Sequence, residues 1–296
     1  MISIITPSFN QARYVERTIQ SVLFQDIPDL EYFVIDGGSK DETLSILQRY
    51  SKSLTFISEK DNGQADAVNK GLKRVTGDII GWLNSDDIYY PDTLKKIKCY
   101  FANHPDVDVV YGEAYHIDQN DEVIDRYPTE TWDISRLIKT CFIAQPTVFL
   151  RRKVLQKYGY LNETLEYCLD YEYWLRLAGQ GVRFGYLKEI LAGSRLYPET
   201  KTCSAPLKAQ REALQMLKNQ IGYVPHEWLI TYAITVIKNQ TSLRYPKLRF
   251  LILTGCIALR EAYYWNGCLR TIKAFFYLPF IMFKMKNFSV KKHKKK

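Results

Sequence analysis

Apolar positions along the chain keep two rhythms. Short unbroken runs at Ile2–Thr6, Leu30–Ile35, Leu54–Ile57 and Ile79–Leu83 read as strands, the last buried on both faces. Between them, apolar residues recur at helical spacing. Ala12–Phe24 sets Tyr14, Val15, Ile19, Val22 and Leu23 on one face, a second helix runs to about Tyr50, and Gln64–Val75 forms a third. Ser39 with Glu42 three residues on predicts a capping box opening the second of these helices. Strands and helices alternating at this pace predict an α/β fold with a parallel, doubly wound sheet. Further on, Val107–Tyr111 reads as a strand, and Ala114–Asp118 with Val123–Tyr127 as a hairpin tipped by Gln119–Glu122. Gln145–Leu150 leads to a stripe of Leu169, Tyr173, Trp174 and Leu177 at helical spacing, then a strand at Leu187–Leu191 and a helix at Ala205–Gln220.

Each early strand exits into small, polar or acidic residues: Thr6-Pro7-Ser8, Asp36-Gly37-Gly38-Ser39, Asp61-Asn62-Gly63-Gln64 and Asn84-Ser85-Asp86-Asp87. In open α/β sheets the carboxyl edge is where ligands bind. The Ile79 run ends at two adjacent carboxylates, which repel unless a cation lies near. Either a hard divalent cation shared with phosphates sits there, or the pair is a solvated turn with Asp87 capping the helix that Pro91 begins. No G-x-G-x-x-G or Walker sequence is present, so a dinucleotide-binding or phosphate-loop enzyme is not supported.

The net charge of +9 is unevenly spread. From His226 onward there are fourteen Lys or Arg against Glu227 and Glu261, so the preceding residues are mildly acidic. Nucleic-acid binding by the whole protein therefore does not follow from its basicity. Two apolar runs, Phe250–Leu259 and Ala274–Phe283, are each too short to span a bilayer, and the chain closes on Lys291-Lys292-His293-Lys294-Lys295-Lys296. This pattern suits either an interfacial segment on an anionic membrane surface or a helical cap with a solvated tail. The six cysteines form no C-x-x-C pair and are expected reduced and mostly buried; the four histidines stand in no ligand pattern. The chain opens on a strand pattern without the features of a secretory signal, which points to the cytoplasm.

Taken together, Thr6-Pro7-Ser8-Phe9-Asn10, the stretch Asp36 to Thr43, the stretch Asp61 to Gly71, and Gly81 to Asp87 occur in an order and spacing that resembles family 2 of the glycosyltransferases. The resemblance covers Met1 to about Gly193. It implies a GT-A fold: a Rossmann-like, mostly parallel sheet flanked by helices, here with a helical C-terminal extension. The expected catalytic domain is 1–225, with a nucleotide-sugar half to about 112 and an acceptor half to 225; the extension is 226–296. The resemblance implies that Thr6, Pro7 and Ser8 hold the nucleoside and that Asp36 accepts from the imide N–H of a uracil ring. Gln64 and Asp66 would lie near base and ribose. Ser85 and Asp86 would face the donor, with Asp86 and Asp87 holding Mg²⁺ or Mn²⁺ on its diphosphate. Asn84 stands where that metal pattern usually begins with an acid.

Asp170, in an E-D-like motif with Leu169 in the place of Glu, is the implied catalytic base; Glu172 is the runner-up, and the alternative is that Asp170 caps its helix. Arg195 faces the diphosphate or forms a surface ion pair, and Tyr197 replaces a His that relatives often carry. Glu113 is either an acceptor-side residue or a structural carboxylate. The expectation is an inverting, metal-dependent glycosyltransferase using a nucleotide-diphosphate sugar, UDP first. Its acceptor would be a saccharide or lipid-linked glycan in surface glycan synthesis, reached from the inner face of the cell membrane. The rivals are a nucleotidyltransferase of related fold and a non-catalytic sugar- or lipid-binding scaffold.

Overall fold

The computed structural model describes residues 1–240, 249–268 and 271. In order, the elements are β1 (Ile2–Ser8), α1 (Val15–Leu23), β2 (Leu30–Asp36), α2 (Thr43–Arg49), β3 (Thr55–Ser58), α3 (Gln64–Leu72), β4 (Ile79–Trp82), β5 (Ile88–Tyr89), α4 (Thr93–Asn103), β6 (Val109–Ile117), β7 (Val123–Arg126), α5 (Ile134–Leu137), β8 (Phe149–Arg151), α6 (Arg152–Tyr158), α7 (Leu169–Gly179), β9 (Phe184–Arg195), α8 (Lys201–Ser204), α9 (Pro206–Ile221) and α10 (His226–Gln240). Residues 249–268 are also helical.

One mixed sheet runs β3-β2-β1-β4-β8-β6-β9-β5, with β7 paired to β6. β1, β2, β3 and β4 are mutually parallel, as the alternating pattern predicts. Their apolar runs are enclosed because helices cover both faces: Ile2, Ile4, Val34 and Leu83 pack in one cluster with Val15, Ile19, Val22 and Leu47. The register matters for chemistry. Ser8 pairs with Asp36, and Asp36 with Ser58, so three strands end level at one corner.

The second half is mixed. β8 runs antiparallel between β4 and β6, while β6 and β9 are parallel. β9 is much longer than the Leu187–Leu191 run suggested. Its register places Arg195 opposite Ile117, and its pairing with β5 sets Gly193 opposite Ile88. This carries the end of β9 to the Asp86-Asp87 turn.

Several local expectations are corrected. Val107–Tyr111 and Ala114–Asp118 merge into β6, whose pairing with β9 shifts register around Glu113. Residues 145–147 form a single 3-10 turn, and β8 follows from Phe149. Ser39 caps nothing, because its hydroxyl is taken by Asp36 at 2.5 Å and α2 begins only at Thr43. Asp92, with a left-handed φ of 64°, precedes α4, so Asp87 is not that helix's cap. All six cysteines are free, but only Cys168 is buried.

The chain divides into two compact units, 1–137 with 141–203, and 138–140 with the residues from Ser204 onward. The division thus falls before α9, not at the expected 225. In the second unit Leu214, Val224, Leu229, Tyr232, Ala262 and Trp265 form a small core, and Asn266 bonds both the N–H and the C=O of Val224 at 2.8 Å. The run Phe250–Leu259 is part of a helix there; Ala274–Phe283 and the lysine tail lie outside the described residues.

Candidate functional site

The β1–β2–β3 corner is built around Asp36. Its side chain is fully enclosed, and it accepts the Gly38 and Ser39 N–H groups at 3.0 Å, the Ser58 hydroxyl at 2.6 Å and the Ser39 hydroxyl at 2.5 Å. Three of these donors meet Oδ2 and one meets Oδ1, and the carboxylate shapes the turn that Gly38 makes at φ +83°. Thr6 is enclosed as well, bonded to Tyr32 Oη at 3.1 Å, and Pro7 and Ser8 are buried. The reason is that β1 continues to Ser8, beyond the apolar run, so these residues are strand interior rather than loop. Ser8 Oγ is buried without a hydrogen-bond partner.

Gln64 opens α3 and donates from Nε2 to Asn84 Oδ1 at 2.7 Å; Asn84 Nδ2 donates to Gln145 Oε1 at 3.0 Å, and Gln145 Nε2 to Trp82 O at 2.9 Å. This relay of amides fixes the exit of β4 against α3 and the 3-10 turn. It also occupies the Asn84 oxygen. Asp66 is turned into its own first helical turn, accepting the Asn62 N–H at 2.9 Å and pairing with Lys70 at 3.4 Å. The Asn62 N–H, followed by the Lys70 charge, holds its carboxyl below the usual range.

The Asp86-Asp87 turn is held by residues far along the chain. Ser85 and Asp87 are buried, while Asp86 is half-buried. Asp87 Oδ1 accepts the Arg195 N–H at 2.8 Å, and its Oδ2 accepts from Asn84 at 3.3 Å. Asp86 accepts the Tyr197 hydroxyl at 2.9 Å. The Arg195 guanidinium, fully buried, donates to Asp86 O at 2.6 Å and to Asp118 O at 2.5 Å, pairs with Asp121 and lies over the Tyr14 ring. Arg195 therefore forms an ion pair, with Asp121 as partner, but a buried one rather than the surface pair expected. Burial pushes both acids up, Asp87 well above the usual range with the Asp86 charge adding to the effect. Two carboxylates thus share a turn whose nearest cation is already engaged with a third. Asp86, a hard oxygen donor, suits Mg²⁺ or Mn²⁺, which complete their coordination with phosphate and water oxygens. Asp87 is directed inward to Arg195 and Asn84. Among the described residues no cluster of three His, Cys, Asp or Glu forms a closed metal site.

Asp170 stands in the first turn of α7, half-buried, and accepts the Tyr171 N–H at 2.8 Å. Burial pushes its carboxyl up to about 6. Its charge in turn adds to what burial does to Tyr127 and Cys141, both raised. α7 is fixed to the β4 exit by Trp174 stacked on Trp82, centroids 5.8 Å apart. Glu172 is instead buried in a two-pronged pair with Arg176 at 2.8 and 3.2 Å. Tyr127 also lines a cavity of about 470 Å³ with Glu113, Arg126, Thr129, Tyr186 and Lys188. Glu113 is buried there, paired with Arg126 and accepting the Tyr186 hydroxyl at 2.5 Å.

Sequence reasoning missed Gln145 as the link to Asn84, and the hairpin tip as the partner of Arg195. Only the polar run Asp118–Glu122 hinted at the second.

The family model for glycosyl transferase family 2 matches residues 3–159. An uncharacterised glycosyltransferase of Rickettsia prowazekii is 30% identical over 219 residues, covering 69% of this chain and 67% of that protein. Chondroitin synthase of Escherichia coli is 30% identical over 72% of this chain, but only 31% of that longer protein. Two solved structures share the fold at 18% identity. TarS 1-349 of S. aureus in complex with UDP-GlcNAc has a TM-score of 0.58 over 94% of this chain and 79% of that one. The mannosyltransferase PcManGT of Pyrobaculum calidifontis in complex with GDP-Man and Mn²⁺ has 0.60 over 99% and 81%. The mixed sheet with its helical layers is thus a GT-A fold, and the chain belongs to glycosyl transferase family 2.

Proposed function

We propose that this glycosyltransferase moves a sugar, with inversion, from a nucleotide-diphosphate donor to a saccharide or lipid-linked acceptor of a surface glycan, with a UDP-sugar as the favoured donor. One observation carries the reading. Asp170 is a half-buried carboxyl with a raised pKa, on a helix stacked against the strand that ends in Asp86-Asp87. This supports reading Asp170 as a proton acceptor beside a charge-bearing turn. Asp170 takes the proton of the acceptor hydroxyl as its oxygen bonds to the anomeric carbon. The carbon–oxygen bond to the diphosphate breaks, and the electron pair leaves with the diphosphate. Asp86 would hold Mg²⁺ or Mn²⁺, with Asp87 behind it; when bound, the cation offsets charge growing on the leaving group. The cavity beside Tyr127, with aromatic and hydrogen-bonding walls, supports a saccharide acceptor.

The exposed Ile252, Tyr263 and Tyr264, with the basic excess after His226, support peripheral attachment to the cytoplasmic face of a membrane. No helix among the described residues is long and apolar enough to cross one. The test of the donor site is isothermal titration with UDP, GDP and dTDP, each with and without Mn²⁺. Manganese-dependent UDP binding is expected. GDP or dTDP binding instead keeps the enzyme class and overturns the donor; binding of none by folded protein overturns the reading.

A further inference from the structure

The cavity beside Tyr127 exists because β6 and β9 fall out of step. Tyr111 pairs with Tyr186, yet Glu113 pairs with Ile190, so Gly112 alone spans the gap that Leu187, Lys188 and Glu189 span on β9. The surplus leaves the ladder, as in a bulge, and brings Lys188 to the cavity. The opposite wall is held by its backbone: Tyr127 N–H donates to Ala114 O at 2.9 Å, and Thr129 N–H to Tyr127 O at 2.8 Å. Aromatic contacts stiffen the rest. Tyr186 stacks on Tyr111 with centroids 5.3 Å apart, and Tyr111 Oη donates to Glu130 O at 2.9 Å. A volume of about 470 Å³ falls within the range of small-ligand sites.

Three charged side chains line this space. Glu113, buried, opposes Arg126, whose side chain is 56% exposed. Lys188 is exposed and has no ion partner among the described residues. The neighbouring acids are engaged elsewhere: Glu189 with Lys96 at 3.1 Å, Glu130 with Arg136, and Asp125 with His116 Nδ1 at 2.6 Å. The lining therefore carries one positive charge in excess. It also holds an unused hydroxyl, because Thr129 Oγ1 is buried with no hydrogen-bond partner among the described residues. Such a group is costly until a ligand supplies the bond. Tyr127 connects the cavity to the chemistry, since Asp170 lies close enough for its charge to add to what burial does to the Tyr127 hydroxyl.

We propose that this cavity takes an acidic acceptor: a saccharide whose carboxylate or phosphate lies against Lys188 and the exposed flank of Arg126. This rests on the transferase reading above and names the chemical class of its acceptor. The Thr129 hydroxyl donates to an oxygen of the same ligand, and the Tyr127 and Tyr186 rings give the sugar its apolar walls. A neutral sugar gains nothing from Lys188, and a sugar bearing an amine is repelled by it, so the same side chain selects and rejects.

The experiment is titration of the full chain, in UDP and Mn²⁺, with glucuronate, glucose 6-phosphate and glucose, read by ligand-observed NMR. It is run for wild type, Lys188→Ala and Lys188→Arg, with a thermal melt of each. Wild type is expected to bind at least one charged sugar about tenfold or more tightly than glucose, as for a charge-assisted hydrogen bond, and the preference should shrink in high salt. Selection of glucuronate alone identifies a carboxylate, of glucose 6-phosphate alone a phosphate, and of both a site that reads charge. Lys188→Ala should bring the charged sugars to the level of glucose, and Lys188→Arg should keep the preference. The melting midpoints should stay within about 2 °C, since the side chain is exposed and unpaired. Affinity for the charged sugars no greater than for glucose, binding of none of the three, or a preference that survives Lys188→Ala overturns the acidic acceptor; nucleotide binding by the same chain then leaves the transferase reading standing. A wild type that binds no nucleotide overturns that reading as well.

Discussion

Replacing Asp170 by Asn separates the cost of the site from its use. The folded chain holds this carboxyl at about 6, against about 3.9 for a free aspartate. Between those values the native state binds more protons than the unfolded one, so stability is greatest below about pH 4 and falls as pH rises through 6. At pH 8 the ionised side chain costs the fold about 3 kcal/mol. Asn is nearly isosteric and keeps the oxygen that accepts the Tyr171 N–H. It should therefore raise the melting midpoint by several degrees at pH 8 and by nothing at pH 4. Activity should move the other way. As the proposed general base the carboxylate must be ionised, so wild-type turnover should rise through about pH 6 and level off, and Asp170→Asn should lose about 10²–10⁴-fold with that limb gone. The assay is nucleotide release from the donor between pH 5 and 8, beside melts at both extremes. A variant within about threefold of wild type, or a wild-type rate indifferent to pH across this range, would refute the assignment. Glu172→Gln is the control: its partner Arg176 is lost, so stability should drop while the pH limb remains.

Three further outcomes follow from other contacts. Asp36→Asn sets an amide among the donors of Gly38, Ser39 and Ser58, and should cost about 2–4 kcal/mol in denaturant unfolding. Arg195→Ala takes one of two guanidinium partners from Asp121, leaving Arg17, and empties a buried site; it should cost about 2–3 kcal/mol by the same measurement. Truncation before Leu248 should release the protein from the membrane fraction of lysed cells; a truncated chain that stays equally membrane-bound would end the attachment idea.

The parallel half of the sheet was legible because both signals it uses are local: unbroken apolar runs for β1 to β4, and helical spacing between them. The ends of elements were less so. Thr6, Pro7 and Ser8 look like a polar loop, yet Ser8 pairs with Asp36, so tertiary register extended β1 past its apolar stretch. The surroundings of Asp36 were not legible either: only the fold shows that it is enclosed and accepts from Gly38, Ser39 and, across the sheet, Ser58.

The Asp86-Asp87 turn illustrates why sites are harder to read than folds. Its motif is local, but its electrostatics come from elsewhere. Arg195 lies more than a hundred residues along the chain and arrives because β9 pairs with both β5 and β6. Its positive charge might have balanced the two acids. Instead, the hairpin tip brings Asp121 onto the same guanidinium, and Tyr197, neutral, stands on Asp86. Burial then raises the pKa of both acids rather than letting them ionise at no cost. A site built this way is short of positive charge. On the proposed reading, a divalent cation held with a diphosphate would meet that deficit, because it would offset negative charge on protein and ligand at once.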